Sequence, residues 1–361
     1  MTRLGRLVLL ALVLVLGGTS CQGQKEEQSV KPYDLAISHG KYLTTFRESA
    51  SQLQKVETRP LFKENIGIWQ DRLLRLNENI YGGTHCSSDT LKRYLFKVDT
   101  KTLTGQLADV GGGDLYASAC DGQYLYTSAV FGGHTDFYKY DQYLQEVTSQ
   151  TIATEKRLCQ TPDMVFVRDK LYVLVGNVDL TTSLHHNELW ILSPQLELQE
   201  KKSLDYTAGG YFQMVAVEGK LYMTANKEGI RPDGEPDGGQ HLLVYDLETG
   251  EMTRIETRLK YPRNIYYDEH HHKLLVLHDP LYVPDYTWTM IDLATLSQET
   301  LTFPELPAGC LEVFFTQTAD TYYFLFDDCL VRYKVIDKQK VCYDLTPFAI
   351  HQADALLSCQ K

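Results

Sequence analysis

Polar side chains that could bind a ligand or a metal recur where successive apolar stretches of the sequence end. They include amides, carboxylates and imidazoles, which coordinate metals and hydrogen-bond to bound ligands. The residues are Asn79, His134, Asp136, Asn177, Asp179, Asn226, Glu228, His278 and Asp279. Tyr211 and Arg263 precede two of these stretches and are weaker candidates for the same site. Alternatively, the Asn and Asp residues serve only as turn residues, since their side chains hydrogen-bond to nearby backbone.

Two further segments could bind a metal by themselves. Residues 233–238 place carboxylates at alternate positions, as calcium loops do, but Val244 stands where such a loop needs its bidentate acid. His270, His271 and His272 could offer imidazoles, but they fall in a tight turn, where neighbouring side chains diverge. We therefore predict no resident cofactor, with calcium or zinc as the ions to test for.

The sequence contains none of the short motifs that mark common active sites. It has no Gly-x-Ser-x-Gly, no His-Glu-x-x-His, no phosphate-binding loop and no dinucleotide-binding glycine pattern. Catalytic carboxylates contributed by separate parts of the chain would leave no such signature. We therefore expect a binding protein. An enzyme, such as a metal-assisted lactonase, lyase or cyclase, is the alternative.

Composition indicates a large, folded, acidic protein. The chain has 361 residues, of which 43% are hydrophobic, and its 24 Tyr and 13 Phe can contribute to a large core. Its formal net charge is −12 at pH 7. A nucleic acid is excluded as the main partner, because phosphate binding requires a basic face.

The N-terminal segment has the pattern of a secretion signal. Arg3 and Arg6 precede an apolar run over residues 7–16 that is too short to span a bilayer. Small residues and then Cys21 follow. This arrangement resembles the lipobox of bacterial lipoproteins, although Gly18 stands where Leu is usual. An ordinary cleaved signal with an incidental Cys is the alternative.

The resemblance to lipoproteins divides the chain into three parts. Residues 1–20 would be removed as the signal peptide, and Cys21 would carry the lipids. Residues 21–31 are polar and predict a flexible tether, and residues 32–361 would form a single domain. We therefore expect an exported protein of the bacterial cell envelope, with a membrane as one partner through its lipid anchor.

The body is built from a repeat of about fifty residues. Each unit begins with two strands rich in Leu, Tyr and Val around a tight polar turn, as in residues 165–173 and 215–223. The turns are marked by Asp71, Gly122, Asp169, Gly219, His271 and Asp320. A later strand ends in a second set of markers, Asp99, Asp141, Ser193, Asp246, Asp292 and Asp337. Two hairpins per unit predict four antiparallel strands.

Four-stranded antiparallel units arranged radially form a β-propeller. Residues 245–251 (Tyr-Asp-Leu-Glu-Thr-Gly-Glu) resemble a common outer hairpin of YVTN-type and quinoprotein-like propellers. The predicted fold is therefore all-β, a propeller of seven four-stranded blades, with six blades as the alternative. Residues 349–358 would supply the strand that the N-terminal hairpin at residues 35–46 lacks, and so close the ring.

The loops of a propeller alternate between two faces. Connections between blades share one face with the loops from second to third strands, and we call it the long-loop face; the hairpin turns form the tight-turn face. Long loops are predicted at residues 79–89, 130–136, 176–187, 226–240 and 278–286. Because function usually lies on such loops, we place the polar candidates there. We expect a protein, peptide or glycan ligand, or a scaffold role in a membrane complex.

Cysteine positions suggest a disulfide in the predicted sixth unit. If residues 319–320 form a two-residue turn, Cys310 and Cys329 face each other across one hairpin, which favours a bond between them. Cys342 and Cys359 form a looser second pair, because both lie near the closing blade.

Overall fold

Seven antiparallel sheets of four or five strands form the body of the protein in a computed structural model. The structure describes residues 32–70, 72–86, 92–111, 114–131, 133–153, 157–179, 185–204, 210–230, 236–304, 306 and 314–359. The sheets are the blades of a seven-bladed β-propeller, so the prediction of seven blades is confirmed and the alternative of six is wrong. Within these ranges, no helix has the length and apolar character needed to cross a membrane.

The strands follow the chain around the ring. Three come first: β1 (Leu35–His39), β2 (Tyr42–Glu48) and β3 (Leu53–Pro60). Blade 1 contains β4 (Ile68–Trp69), β5 (Leu74–Leu76), β6 (Asn79–Cys86), β7 (Arg93–Asp99) and β8 (Thr104–Gly111). Blade 2 contains β9 (Asp114–Cys120), β10 (Leu125–Phe131), β11 (His134–Tyr140) and β12 (Glu146–Ala153). Blade 3 contains β13 (Arg157–Gln160), β14 (Met164–Val167), β15 (Lys170–Asp179), β16 (His185–Leu192) and β17 (Leu198–Leu204).

The second half of the ring has the same order. Blade 4 contains β18 (Gly210–Val217), β19 (Lys220–Ile230), β20 (Pro236–Asp246) and β21 (Met252–Glu256). Blade 5 contains β22 (Pro262–Asp268), β23 (Lys273–His278), β24 (Trp288–Asp292) and β25 (Gln298–Leu301). Blade 6 contains β26 (Phe314–Thr318), β27 (Thr321–Leu325), β28 (Cys329–Lys334) and β29 (Gln339–Asp344). A short 3-10 helix (Thr346–Phe348) leads to β30 (Ala355–Cys359).

Burial changes from the axis of the ring to its rim. All five residues of β27, a second strand, are buried, because neighbouring blades cover both of its faces. The outer strands β17 and β21 are largely exposed. This gradient explains why the sequence is continuously apolar in some strands and alternates or turns polar in others.

The hydrophobic core is divided among the interfaces between consecutive blades. Trp288, Phe303 and Phe324 pack between blades 5 and 6, and Phe137 packs with Trp190 between blades 2 and 3. Large aromatic side chains suit these interfaces because each buries much apolar area against the next sheet.

The Asp and Ser markers of the repeat cap the turns between third and fourth strands. Asp99 Oδ1 accepts hydrogen bonds from the backbone N–H groups of Lys101 and Thr102, both at 2.8 Å. The same role is played by Asp141, Ser193, Asp246 and Asp292. The N–H groups of Thr249 and Glu248 lower the pKa of Asp246, because they stabilise its charged form. The marker therefore reflects a local bond that each hairpin needs.

Blade 7 joins the two ends of the chain. Its strand order is β3-β2-β1-β30, with β30 innermost. Ser38 pairs with Ala355, and its hydroxyl donates to the carbonyl of Ala355 at 3.3 Å. The prediction that the tail supplies the missing strand is confirmed. Because β1 is the second strand of this blade, the turn at Gly40 lies on the long-loop face.

A buried ion pair fastens blade 6 to blade 7. The carboxylate of Glu48 is fully buried and accepts a hydrogen bond from Arg332 Nη1 at 3.0 Å. The hydroxyls of Tyr323 and Tyr343 donate to the same carboxylate, each at 3.0 Å. Burial and this carboxylate raise the pKa of Tyr343. Glu48 therefore has three donors at the ring closure, enough to offset its removal from water.

The register of blade 1 differs from the prediction. Its inner strand is broken into β4 and β5, and the tight turn lies at Asn77, where φ is 55°. The predicted turn residue Asp71 lies outside the described residues. Because Leu76 pairs with Asn79, Asn79 begins the second strand on the tight-turn face. Its predicted place on the long-loop face is therefore wrong, since the break moves the turn along the chain.

Two of the predicted long loops consist largely of strand. Residues 79–86 form β6, and most of the predicted loop 226–240 extends the hairpin of β19 and β20. Gly239 permits this extension, because a Cβ there would lie 1.9 Å from the carbonyl oxygen of Ala225.

The predicted hairpin turn in blade 6 is correct, but the cysteine pairing argument built on it is not. Thr318 pairs with Thr321, as a two-residue turn requires. However, β27 ends at Leu325 and Cys329 begins β28, so Cys329 is not on the strand opposite the segment before β26. Cys310 lies outside the described residues, and the disulfide stays a prediction. The second predicted pair lies on β29 and β30: Cys342 and Cys359.

Candidate functional site

The inner strands of several blades are interrupted. Blade 1 has a gap between β4 and β5, blade 3 has one between β13 and β14, and blades 2, 4 and 5 show register shifts in their inner hairpins. Such irregularities re-aim side chains that a regular strand would direct into the sheet interfaces. Several polar side chains are thereby available at the centre of the ring.

Arg72 reaches across the centre from blade 1. Its Nη1 lies 3.1 Å from Oδ2 of Asp163 in blade 3, and its Nη2 donates to the carbonyl of Ile265 in blade 5 at 3.3 Å. Asp163 Oδ2 also accepts the backbone N–H of Met214 in blade 4 at 2.8 Å. This network, built around one ion pair, ties four blades together.

Two glutamines extend this network. Gln70 Oε1 accepts hydrogen bonds from the backbone N–H of Gly83 at 3.0 Å and the hydroxyl of Ser118 at 2.8 Å. Gln213 Oε1 accepts the backbone N–H of Ile265 at 2.7 Å. Both side chains are buried, and they satisfy backbone groups that the strand interruptions leave without a ladder partner.

Arg263 lies where blades 4 and 5 meet the long-loop face. Its guanidinium sits over the ring of Phe212, 4.8 Å from the ring centroid. Asp279, at the end of the second strand of blade 5, has Oδ1 3.9 Å from Nη1 of Arg263. Two of the candidate residues, Arg263 and Asp279, therefore lie next to each other.

Residues 279–286 form a compact loop next to this pair. The carbonyl of Asp279 accepts the N–H groups of Tyr282 at 3.0 Å and Val283 at 2.9 Å, and its Oδ1 accepts that of Leu281 at 3.1 Å. The N–H of Asp279 donates to the carbonyl of Tyr261 at 2.8 Å. Asp279 therefore anchors the first half of the loop and fixes it to Tyr261.

The loop presents apolar side chains to solvent. Leu281 is 68% exposed and Tyr282 is 40% exposed. The ring of Tyr282 stacks on that of Tyr261 at 4.3 Å with an interplanar angle of 13°, and Lys227 Nζ lies 5.6 Å from its centroid. A fixed, exposed Leu–Tyr pair beside a guanidinium combines apolar, aromatic and charged contacts. We call Leu281, Tyr282, Tyr261, Arg263 and Phe212 the corner site.

His278 is a structural residue of this corner. It is fully buried, its Nδ1–H donates to the carbonyl of Lys260 at 2.7 Å, and its Nε2 accepts the hydroxyl of Thr289 at 2.7 Å. Burial lowers its pKa to about 4, so the ring is neutral near pH 7. Both nitrogens are engaged, and the predicted role of His278 as a ligand contact is not supported by this geometry.

Glu228, Asn226 and Tyr211 belong to blade 4 and lie near the corner site. Glu228 Oε1 accepts the Nδ1–H of the buried His241 at 2.6 Å, and Arg254 Nη1 lies 3.9 Å from the same oxygen. Burial lowers the pKa of His241, and the charge of Arg254 adds to this effect. Asn226 Nδ2 donates to a backbone carbonyl, and Tyr211 packs edge-on against His241. The contacts of Glu228 and Tyr211 with His241 lie within blade 4, whereas the bond from Asn226 to the carbonyl of Pro262 joins blade 4 to blade 5.

Asn177 lies apart from the corner site, in blade 3. Its Nδ2 donates to Glu188 Oε2 at 3.0 Å, and Trp190 Nε1 donates to the same oxygen at 2.8 Å. Asp179 is the last residue of β15, and its side chain lies outside the described part of the structure.

His134 and Asp136 lie on the third strand of blade 2, away from the axis. His134 Nε2 is 3.7 Å from Asp136 Oδ2, and Asp136 Oδ1 accepts the hydroxyl of Thr151 at 2.6 Å. The predicted polar residues therefore do not form one ring of contacts; they separate into the corner site, the Glu228–His241 pair and two distant groups.

The metal candidates also separate. Asp268 accepts His271 Nδ1–H at 2.7 Å and the hydroxyl of Tyr322, whereas His272 Nδ1 lies 3.0 Å from the hydroxyl of Tyr267. The imidazoles thus diverge, as expected for a tight turn. Residues 233–235 of the acidic segment lie outside the described residues. Across the described ranges, no group of three or more His, Cys, Asp or Glu side chains is arranged to hold a metal ion.

Several residues of the central network and of the corner site were not identified from the sequence. Arg72, Asp163 and Gln213 interrupt apolar strands, which is a visible signal, but their partners are distant in sequence. Leu281 and Tyr282 are apolar residues within a long predicted loop, where polar residues are the rule, and this departure could have marked them.

Comparison with known proteins shows the fold. No family model matches the sequence, and no curated protein matches it. The WD40 domain of Neurospora crassa Pan2 is similar, with 10% identity over 82% of this chain and 85% of that chain and a TM-score of 0.52. The dihydro-heme d1 dehydrogenase NirN has 12% identity over 91% and 76%, with a TM-score of 0.52.

An enzyme candidate has a higher structural similarity. A protein of Bacteroides fragilis NCTC 9343 assigned as a candidate 6-phosphogluconolactonase has 11% identity over 88% of this chain and 95% of that chain, with a TM-score of 0.57. Sequence identities this low show a common fold alone. The similar structures include both enzymes and a WD40 domain, so the fold fits either function.

Proposed function

We propose that the protein is a lipid-anchored, extracytoplasmic binding protein whose protein, peptide or glycan ligand docks at the corner site. The observation that carries this proposal is the compact loop 279–286, which exposes Leu281 and Tyr282 in a fixed arrangement. Exposed aromatic and aliphatic residues on a rigid support are typical of binding hot spots, because little conformational entropy is lost when a ligand binds.

The charges around the corner site fit a ligand of mixed character. Arg263 and Lys227 approach aromatic rings in the site, and a cation beside an aromatic ring supports both stacking and charge recognition. Sugar rings and peptide side chains can both use such a surface. The rest of the molecule is acidic, with a formal net charge of −12, which also argues against a nucleic-acid ligand.

The docking proposal is tested with the full chain carrying Leu281→Ser and Tyr282→Ser together. The labelled wild type and variant are compared in capture from the native cell envelope and on a panel of immobilised glycans. We expect the double variant to lose at least tenfold in binding to the species that the wild type retains. Ile336→Ser is the matched control, because Ile336 is an exposed apolar residue on the tight-turn face. Equal binding by all three proteins would contradict the proposal.

The lipid anchor is tested separately at Cys21. Metabolic labelling with a radioactive fatty acid should mark the wild type and not Cys21→Ser, and the variant should leave the membrane fraction. Labelling that persists in Cys21→Ser would contradict the anchor and leave the docking proposal intact.

The enzyme alternative, a metal-assisted lactonase, lyase or cyclase, is distinguished by elemental analysis of the purified full chain. About one equivalent of calcium or zinc per chain would favour it, and substrate screening would follow. The outcome of the docking experiment does not depend on the metal content, because that experiment measures retention of a ligand at Leu281 and Tyr282.

A further inference from the structure

The guanidinium of Arg263 is partly buried and has no hydrogen-bond acceptor in the part of the chain that the structure describes. Its side chain is 24% exposed, and its Nε is buried without a partner. The carboxylate of Asp279 lies 3.9 Å from Nη1, beyond hydrogen-bonding distance. Among the described residues, none offers an acceptor within that distance. A guanidinium carries five N–H donors, and leaving them without acceptors in a partly buried place is unfavourable.

Two other partly buried arginines have acceptors for their Nη groups, although the Nε of Arg332, like that of Arg263, has none within the described ranges. Arg72 is paired with Asp163 and a backbone carbonyl. Arg332 is paired with Glu48 and donates to the carbonyl of Ala50 at 2.9 Å. The chain therefore supplies acceptors to guanidinium groups whose role is to join blades. Arg263 differs from them, which indicates that its acceptor comes from outside the chain.

The position of Arg263 is fixed from three sides. Its backbone carbonyl accepts the hydroxyl of Thr224 at 2.6 Å, which fastens β22 to blade 4. Phe212 supports one face of the guanidinium at 4.8 Å, and Asp279 attracts the Nη1 end. A planar fork held in this way is preorganised for an oxyanion with two oxygens, because both can be bound without further ordering of the side chain.

We propose that Arg263 binds an oxyanion of the ligand, such as a carboxylate or phosphate group, while Leu281 and Tyr282 contact its apolar or ring portion. This inference deepens the proposed function and rests on it for the ligand's position. Arg263 supplies the charge, and Phe212 orients the guanidinium. Asp279 attracts the guanidinium but accepts none of its N–H groups, so these donors stay available to the ligand. The ligand class is therefore an anionic molecule with an adjoining apolar or cyclic group.

The test titrates the full chain, labelled with ¹⁵N-arginine in detergent solution, with sodium acetate, inorganic phosphate and, as reference, sodium chloride at equal ionic strength. The Nε–H resonance of Arg263 is assigned by its absence from Arg263→Lys. We expect a saturable shift of this resonance with acetate or phosphate and none with chloride. The relative affinities of acetate and phosphate decide between a carboxylate and a phosphate ligand.

Variants separate recognition by the guanidinium from a general charge effect. Anion affinity, read from shifted neighbouring resonances, should fall at least tenfold in Arg263→Gln and also in Arg263→Lys, which keeps the charge but loses the fork. Arg258 is an exposed arginine on the connection that leads to β22, and Arg258→Gln should bind as the wild type does. If Arg263→Gln fails to fold, the wild-type titration and Arg263→Lys still decide the question.

A wild-type Arg263 resonance that is unchanged by all anions, or equal affinity in Arg263→Lys, would overturn the inference. This outcome is distinct from failure of the proposed function, because the small anions do not require the contacts of Leu281 and Tyr282. Conversely, anion binding at Arg263 with unaltered ligand retention in the Leu281/Tyr282 double variant would uphold the anion site and contradict the docking surface.

Discussion

At the scale of single residues, burial decides whether a polar side chain is available to a ligand. His278 and Asp279 are neighbours in sequence, and both were candidates for the same site. Both ring nitrogens of His278 are hydrogen-bonded, one to a carbonyl and one to a hydroxyl. Asp279 instead holds a loop through its backbone and one carboxylate oxygen. Both side chains are held by hydrogen bonds within the protein, and each contributes to the site by fixing the position of its neighbours.

His278 should make the protein less stable in acid. In the unfolded chain its pKa is near 6.5, and in the folded chain burial lowers the pKa to about 4. Protonation between these values favours the unfolded chain. The stabilisation is therefore complete above pH 6.5 and is lost as the pH falls toward 4, by up to about 3 kcal/mol.

The measurement for His278 is urea unfolding of the wild type and His278→Gln between pH 7.5 and 4.5. The variant should be less stable at pH 7.5 but lose less stability on acidification. His270→Gln removes an exposed imidazole of the tight-turn face and should follow the wild type. Parallel pH profiles for the wild type and His278→Gln would contradict the assignment.

The ion pair between Arg72 and Asp163 should be important for stability. Asp163→Asn removes one charge from a pair in which Asp163 is 5% exposed, and we expect a loss of about 3 kcal/mol in the free energy of unfolding. Asp237→Asn is the control, because its pair with Lys260 is about half exposed and should cost less than about 1 kcal/mol. Chemical denaturation compares the two, and similar small losses would show that the central pair is dispensable.

At the scale of elements, the loop 279–286 and the hairpin turns are held by the same kind of bond. In both, an Asp side chain accepts backbone N–H groups two or three residues ahead. In the hairpins this bond shapes a short turn, and in the loop it supports the exposed pair Leu281 and Tyr282. The loop that carries Leu281 and Tyr282 thus begins with the same Asp–backbone bond as the hairpin turns, but it is longer.

Asp279→Ala should loosen this loop without unfolding the ring. Removing the carboxylate takes away the acceptor for the N–H of Leu281 and the neighbour of Arg263. We expect amide exchange at residues 281–283, which lie between two prolines, to become at least tenfold faster, measured by hydrogen-exchange mass spectrometry, because local opening becomes easier. Asp292→Ala should accelerate exchange only in its own turn. Unchanged exchange at residues 281–283 would show that the backbone bonds of Asp279 suffice.

The elements that could be predicted from sequence are those fixed by local bonds. Asp99, Asp246 and their equivalents bond to residues a few positions away, so six repeat units follow from their spacing, and the seventh blade follows from the hairpin and strand at the two ends of the repeat. The Arg72–Asp163 pair joins distant blades and leaves no periodic trace. In blade 1 the broken inner strand displaced the turn, and Asn79 was therefore assigned to the wrong face. The corner site was only partly predicted, because exposure of Leu281 depends on how the loop folds.

At the scale of the whole molecule, the ring is closed by strands from its two ends. The pairing of β1 with β30 joins residues separated by 317 positions, and the Glu48–Arg332 pair secures blade 7 to blade 6. A closed ring leaves no inner edge exposed, and the blades bury their apolar faces against neighbours on both sides. Stability of any blade therefore depends on closure.

Removal of residues 355–361 should abolish cooperative unfolding. Without β30, the buried residues Leu35 and Ile37 of β1 lose their inner neighbour. We expect dye binding typical of exposed apolar surface and a broad thermal transition. Leu357→Ala is the control: it should cost about 2–5 kcal/mol but keep a single sharp transition. A truncated chain that unfolds as sharply as the wild type would show that the ring closes without β30.

The position of β30 also sets the order of events during biosynthesis. Strands β1 to β3 are made before blades 1 to 6, yet the innermost strand of their blade is made after all six of those blades. Until then β1 keeps an unpaired edge, and its blade cannot complete the ring. Long-range pairing of this kind is slow, so the edge of β1 is open to wrong partners for as long as β30 is missing. In return, a chain that stops before β30 lacks the strand that completes blade 7, so the fold itself distinguishes truncated molecules from those that carry it.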